Sequence, residues 1–112
     1  MRAIEFAKEK PLTVILLHGG GLSWWNYKEA AQLLAQNYHV VIPLLDGHAG
    51  SDCDFTSIED TAGRICEDIQ ARFGGSVFAI GLSIGGQILV EMLSRKPDIC
   101  QYAVIERHWS SP

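Results

Sequence analysis

The sequence lacks an excess of positive charge, and it lacks any long hydrophobic run. Nine Lys and Arg stand against thirteen Asp and Glu, which gives a formal net charge of −4 over 112 residues. Nucleic-acid binding requires a basic patch, and anionic membranes attract basic segments, so neither partner is expected. The longest apolar stretch near the start, residues 12–17, is too short to cross a bilayer, so no membrane span is expected.

Cysteine is scarce and unpaired. Cys53, Cys66 and Cys100 form an odd set without a CxxC pair, which argues against a disulfide framework and against a structural zinc site. The first eleven residues mix charges through their length and lack the apolar centre of a signal peptide. Together these absences predict a cytoplasmic protein with reduced thiols and no bound metal.

What the sequence does contain is an alternation of short apolar runs and helical patterns. The runs are apolar on both faces, as in strands of a parallel sheet that helices cover on both sides. They predict strands at residues 13–17, 39–45, 76–82 and 102–106, with a short edge strand within residues 1–8.

Three segments between the runs show helical spacing of apolar residues, at 25–36, 56–73 and 84–95. In the first, an apolar stripe is formed by Ala30, Ala31, Leu33 and Leu34. The order of elements predicts one α/β domain over residues 1–112, a three-layer sandwich around a mostly parallel sheet of four or five strands. Ligands of such sheets bind at the carboxyl ends of the strands.

A G-x-S-x-G motif lies where the third main strand gives way to a helix, from Gly81 through Ser83 to Gly85. A sharp strand-to-helix turn crowds the residues on either side of the serine, so glycine is needed there. The turn presents the Ser83 hydroxyl at a helix N-terminus, which favours developing negative charge. Ser83 is therefore the candidate nucleophile, against the alternative of a serine that only caps the helix.

A second glycine-rich motif, HGGG at residues 18–21, follows the first main strand. An acyl-transfer enzyme needs backbone N–H donors for the oxyanion of its tetrahedral intermediate. The candidate donors are the amide of Ile84 and one amide from Gly20 or Gly21. His18 is expected to organise the loop rather than to act as a base.

The chain resembles the N-terminal half of an α/β-hydrolase of the esterase and lipase type. The resemblance rests on HGGG, on DGHAGSD at residues 46–52 and on GLSIGG at residues 81–86, in the family's order. It implies hydrolysis of carboxylic esters or related acyl compounds through an acyl-Ser83 intermediate. It implies a small-molecule acyl substrate, and no metal or organic cofactor.

The family places its acid and its histidine after the serine, in that order. We therefore expect a truncated domain, without the half that carries these two residues, and a chain that is catalytically inactive by itself. His39 is predicted at the wrong end of the sheet, and the resemblance gives His48 a structural role. Glu106 and His108 lie near the correct edge, but two residues of spacing leave little reach for one to orient the other toward Ser83.

An alternative of another class is a non-catalytic fragment or interaction module. The last predicted strand, at residues 102–106, would be left as an exposed apolar sheet edge. Such an edge favours self-association. Both hypotheses are compatible with the same fold.

Overall fold

The structure is a computed structural model, and it describes residues 3–18, 28–44, 57–75, 77–82 and 84–106. Within these residues five strands, three α-helices and one short 3₁₀ helix follow one another. In chain order they are β1 (Ala3–Phe6), β2 (Thr13–Leu17), α1 (Lys28–Leu34), β3 (His39–Pro43), α2 (Ile58–Phe73), β4 (Val77–Leu82), α3 (Ile84–Arg95), the 3₁₀ helix Pro97–Ile99 and β5 (Cys100–Glu106).

The five strands form one sheet in the order β1-β3-β2-β4-β5. Strands β2 to β5 run parallel, and β1 pairs antiparallel with β3 at one edge. The predicted mostly parallel sheet and the predicted N-terminal edge strand are both confirmed. Helical crossovers explain the parallel pairing, because a helix can return the chain to the start of the next strand.

Side chains of the central strands alternate between two apolar layers, as the two-residue period of a strand requires. Ile15 and Leu17 of β2 face a core built with α2 and α3. Val14 and Leu16 face the opposite layer, which includes Ala31 of α1. The sheet is therefore the middle layer of the predicted three-layer sandwich.

Helix α2 covers Ile58–Phe73, so it begins two residues later than predicted and ends where predicted. The Ser57 hydroxyl accepts a hydrogen bond from the backbone N–H of Asp60 at 3.0 Å, which satisfies one of the unpaired amides of the first turn. Glu59 and Asp60 in that turn suit the positive end of the helix dipole. Gly74 ends the helix in the left-handed conformation, with a φ of 73°, which costs glycine little.

Helix α1 differs from the prediction. Residues 25–36 were expected to be helical, but the helix ends at Leu34 and residues 35–37 form a turn, while residues 25–27 lie outside the described residues. The predicted apolar stripe is also wrong for Ala30 and Leu33, which are exposed, Leu33 by 67%. A helix of seven residues contacts the sheet over a small area, and Ala31 is its buried residue.

Two strand boundaries also differ. β3 ends at Pro43 rather than at residue 45, and β5 begins at Cys100 rather than at residue 102. The early start of β5 follows from an irregularity between Val77 and Phe78 in the pairing with β4. A bulge of this kind places one extra residue in β5, so Cys100 still pairs with Val77.

A polar cluster joins the edge strand β1 to the rest of the fold. The Glu5 carboxylate accepts hydrogen bonds from Arg72 of α2 at 2.7 Å and from His39 Nε2 of β3 at 2.8 Å. The Arg72 guanidinium lies 4.9 Å from the centre of the Phe73 ring, and that ring meets the His39 ring edge-on. One carboxylate therefore links β1, β3 and α2.

Burial by itself would raise the pKa of Glu5, but the hydrogen bonds from Arg72 and His39 outweigh it and hold the pKa of Glu5 below its ordinary value of 4.5. A lowered pKa in the folded state means that the ionised carboxylate stabilises the fold. This stabilisation is complete well above the ordinary pKa, and it is lost as the pH falls through the lowered value.

We expect Glu5→Gln to lower the free energy of unfolding at neutral pH by about 1–2 kcal/mol, because it weakens two charge-assisted hydrogen bonds. Urea unfolding at about pH 7 and about pH 3 is the measurement, and the deficit of the variant should shrink at the lower pH. The matched control is Glu91→Gln, which breaks an exposed Arg95–Glu91 pair within α3 and should cost at most about 0.5 kcal/mol. Equal behaviour of the two variants at both pH values would contradict this role of Glu5.

Candidate active site

The junction of β4 and α3 leaves one residue between strand and helix. β4 ends at Leu82 and α3 begins at Ile84. This junction lies at the carboxyl end of the parallel strands, where ligands of such sheets bind. Ser83 itself lies outside the described residues.

Two glycines of the motif occupy positions that no side chain can share. A Cβ on Gly81 would lie 2.6 Å from the carbonyl oxygen of Gly85 and 2.9 Å from the Cα of Gly86. A Cβ on Gly85 would overlap the carbonyl group of Leu17 and lie 2.7 Å from the carbonyl oxygen of His18. All these neighbours are backbone atoms, which cannot rotate away. The end of β4, the first turn of α3 and the end of β2 therefore converge around position 83.

The first turn of α3 offers N–H groups toward the same place. Ile84 is the first residue of this twelve-residue helix, and the first N–H groups of a helix have no partner within it. The first turn contains no acidic residue that would oppose a bound anion. A helix N-terminus of this kind favours negative charge beside it.

Leu17 and His18, which precede the glycines of the HGGG motif, are buried. His18 follows β2 directly and is fully buried, and its loop-organising role stays a prediction. Its backbone carbonyl is one of the atoms closest to Gly85. Gly20 and Gly21, the candidate second oxyanion donors, lie outside the described residues.

The structure separates the candidate bases. His39 lies at the start of β3, level with Thr13 at the start of β2, which is the end of the sheet opposite to the junction, as predicted. Glu106 ends β5 and is paired with Leu82, so its backbone is level with the last residue of β4. His48 and His108 lie outside the described residues.

Comparison with known proteins agrees with this architecture. Residues 14–106 match the sequence profile of the alpha/beta hydrolase family. The chain belongs to this family. An AB hydrolase superfamily protein of Gibberella zeae is 34% identical over 88 residues, which are 76% of this chain and 31% of that protein. The chain thus spans about a third of this curated relative.

Solved structures of other proteins share the alpha/beta hydrolase fold. A serine hydrolase from Cycloclasticus zankles superposes with a TM-score of 0.78 at 24% identity, over 98% of this chain and 42% of that one. The epoxide hydrolase CorEH superposes with a TM-score of 0.81 at 22% identity, over 92% of this chain and 36% of that one. At these identities the likeness shows the fold.

The two cysteines in the part of the chain that the structure describes, Cys66 and Cys100, are poor nucleophiles. Burial raises the pKa of Cys66, and burial together with the neighbouring Cys66 raises the pKa of Cys100 to about 11. A thiol attacks as its thiolate, which such pKa values suppress at neutral pH. Over the described ranges, no group of three or more His, Cys, Asp or Glu side chains is placed to hold a metal ion.

The sequence patterns do not predict an apolar groove on one face of the sheet. An apolar groove of about 380 Å³ lies on the α1 face of the sheet, beside Leu34 and between the rings of Tyr38, Phe78 and Tyr102. The Phe78 ring meets the Tyr38 ring edge-on with centroids 5.9 Å apart, and it meets the Tyr102 ring edge-on with centroids 5.5 Å apart. The alternation within β4 and β5 signals these positions, but the groove also needs Leu34 and Tyr38 from another part of the chain.

No helix in the part of the chain that the structure describes is long and apolar enough to cross a membrane.

Proposed function

We propose that this chain carries the nucleophile of a serine hydrolase that acts on carboxylic esters or related acyl compounds. The observation that supports this most strongly is the backbone convergence at Gly81 and Gly85. Three segments meet there so closely that only glycine fits, and the one residue at the turn is a serine. A packing role alone does not call for a serine at a strand-to-helix turn of a single residue.

In the proposed reaction the Ser83 Oγ attacks the acyl carbonyl carbon while its proton passes to a base. The carbonyl oxygen becomes an oxyanion, which accepts hydrogen bonds from the amide of Ile84 and from that of Gly20 or Gly21. Collapse of this tetrahedral intermediate breaks the bond to the alcohol and leaves an acyl-Ser83 ester. Water then attacks the ester through the same oxyanion geometry, releasing the carboxylic acid and restoring the hydroxyl.

We infer the type of bond that is hydrolysed from the nucleophile and not from the fold. The similar structures include a serine hydrolase and an epoxide hydrolase, so the architecture serves more than one reaction. A serine hydroxyl forms an ester with an acyl group, and water cleaves that ester again. This chemistry favours acyl substrates.

We propose that the general base is neither His39 nor His18. His39 bonds Glu5 at the far end of the sheet, and His18 is fully buried. Glu106 is level with Leu82 on the neighbouring strand, so Glu106 and His108 stay the candidates within this chain. Further candidates belong to the part of the family domain that this chain does not span, since it covers 31% of its curated relative.

The test is hydrolysis of p-nitrophenyl acetate by the wild type, by Ser83→Ala and by Ser94→Ala. Ser94 is exposed near the far end of the same helix, so its loss controls for removing a hydroxyl from α3. We expect Ser94→Ala to match the wild type, and any release of p-nitrophenolate above the rate of buffer to be lost in Ser83→Ala. Equal rates above buffer in the wild type and Ser83→Ala would refute Ser83 as the nucleophile.

A second candidate function is favoured by the exposure of β5. β5 is an edge strand of the sheet, and the side chains of Tyr102 and Val104 on it are 68% and 53% exposed. Rates at the level of buffer in all three proteins would favour this second function, in which the chain acts as an interaction module.

A further inference from the structure

Among the described strands β1 is the shortest, and it lies at the edge of the sheet, paired with β3. Its four residues are all half-buried, whereas the five residues of β3 are all buried. Edge segments with little buried surface open more easily than the centre of a sheet. We propose that β1 opens as a unit while β2 to β5 stay paired, and that the Glu5 carboxylate holds β1 closed.

The two faces of β1 are attached to the fold differently. Ile4 and Phe6 pack against the apolar layer on the α1 side of the sheet. On the α2 side, the alternation of the strand leaves Ala3 and Glu5. Ala3 packs against the core, but its side chain is one methyl group and buries little apolar area. The Glu5 carboxylate is therefore the main attachment of β1 on that side.

The hydrogen-bond partners of the Glu5 carboxylate belong to other elements of the fold. Arg72 donates from α2 at 2.7 Å, and His39 Nε2 donates from β3 at 2.8 Å. The other ring nitrogen of His39 lies 3.4 Å from the Thr13 hydroxyl of β2, so the imidazole has a second contact that does not involve β1. Lys8, which follows β1, is a further positive charge that acts on Glu5. When β1 opens, Glu5 moves away from Arg72 and His39, and both hydrogen bonds break.

The turn that follows β1 favours opening. Ala7 has a φ of 56°, in the left-handed region that residues with a side chain adopt at a cost. The Lys10 N–H donates to the Ala7 carbonyl oxygen at 3.0 Å, which closes the turn. Ala7 can return to the extended region once β1 is no longer held against β3. Strain at Ala7 thus opposes the closed state, and the hydrogen bonds of Glu5 favour it.

Opening of β1 would change one edge of the sheet and leave the serine junction in place. The outer backbone of β3 would be exposed, and Ile4 and Phe6 would leave their apolar layer. The segments that converge at Gly81 and Gly85 belong to β2, β4 and α3, and neither of these two strands pairs with β1. The inference is therefore independent of Ser83 and goes beyond the proposed hydrolysis.

The charge of Glu5 couples this opening to pH. In the closed state burial would raise the pKa of Glu5, but Arg72, His39 and Lys8 lower it more, so that the pKa lies below its ordinary value of 4.5. In the open state the carboxyl group has lost these partners, and its pKa returns toward the ordinary value. The open state therefore binds a proton more tightly, and the open fraction rises as the pH falls from 4.5 through the lowered pKa.

Hydrogen exchange of individual amides, followed by NMR at urea concentrations below the unfolding transition, measures the opening of β1. The opening constant is the observed exchange rate divided by the intrinsic rate of the unfolded chain at the same pH. We expect this constant to be at least about tenfold larger for the amides that join β1 to β3 than for those of β4, with a weaker dependence on urea. Equal opening constants and equal urea slopes in β1 and β4 would mean that both open together, which would overturn the proposal.

Glu5→Gln tests the role of the carboxylate in the same measurement. At about pH 7 this variant should raise the opening constant of β1 about tenfold, because it weakens two charge-assisted hydrogen bonds. Between about pH 7 and about pH 3 the opening constant of the wild type should rise about tenfold, and Glu5→Gln should lose most of this rise, because the titrating carboxyl group is gone.

Glu91→Gln is the matched control, since it breaks an exposed ion pair within α3 and should change the opening constant of β1 by less than about twofold. An opening constant that Glu5→Gln leaves unchanged at neutral pH would overturn the role of Glu5. The same conclusion would follow if Glu5→Gln kept the pH dependence of the wild type.

Discussion

Replacing Gly85 by alanine is expected to lower the free energy of unfolding by about 3 kcal/mol or more. The added methyl group would overlap the carbonyl group of Leu17 and lie 2.7 Å from the carbonyl oxygen of His18. Both are backbone atoms at the end of a buried central strand, so relief requires α3 to move away from β2. That movement would open the junction that holds position 83.

Gly63→Ala is the matched control, because it adds the same methyl group to a helix of the same layer. The nearest atom to a Cβ at this position is Arg95 Nη1 at 3.6 Å, which is an ordinary contact with a flexible side chain. Alanine favours a helix over glycine, so this variant should gain about 0.5–1 kcal/mol. Urea unfolding of both variants measures the difference. A Gly85→Ala protein as stable as the wild type would contradict the close approach of α3 to β2.

The sequence motif predicted this crowding, but it did not predict what crowds Gly85. Converging strand and helix explain Gly81, whose neighbours are Gly85 and Gly86 of the same motif. The neighbours of Gly85 belong to a third segment, the end of β2, which is 67 and 68 residues away in sequence at His18 and Leu17. Such contacts follow from the order of strands in the sheet, which periodicity along the chain does not determine.

Strands and helices with strong patterns were predicted well, and those with weak patterns were not. β2 and α3 match their predicted bounds, since β2 is a compact apolar run and α3 lies between the serine motif and Pro97. α1 ends earlier than predicted, and Leu33 is exposed although its spacing fits an apolar stripe. A stripe indicates which face of a helix is apolar, and burial depends also on how much of the sheet lies beneath that face.

The candidate site was predicted in part. The glycines and the position of Ile84 at a helix N-terminus follow from local chemistry, so a sequence motif suffices for them. The general base that would accept the Ser83 proton cannot be found from a local motif. The residues of a catalytic triad come from segments that are distant in the chain. The groove beside Leu34 was missed for a similar reason, since Tyr38, Phe78 and Tyr102 come from three separate segments.

The second large effect is expected at Ser83, with a fluorophosphonate as the probe. The serine oxygen attacks phosphorus, fluoride leaves with the electrons of the broken bond, and the serine proton passes to base or solvent. The phosphonyl oxygen gains negative charge in the transition state, as an acyl oxygen would, and in the proposed mechanism the amide of Ile84, the first residue of α3, stabilises it. Ser83→Ala should lose the adduct completely, and Ser94→Ala should keep it, because Ser94 has no such donor arrangement.

The position of this adduct tests most directly whether Ser83 is the nucleophile. Peptide mass spectrometry after long incubation with the probe determines that position. We expect one phosphonyl group per chain, on Ser83, in the wild type and in Ser94→Ala, and none in Ser83→Ala. An adduct on another residue, an adduct that persists in Ser83→Ala, or no adduct in the wild type would contradict the assignment of Ser83 as the nucleophile.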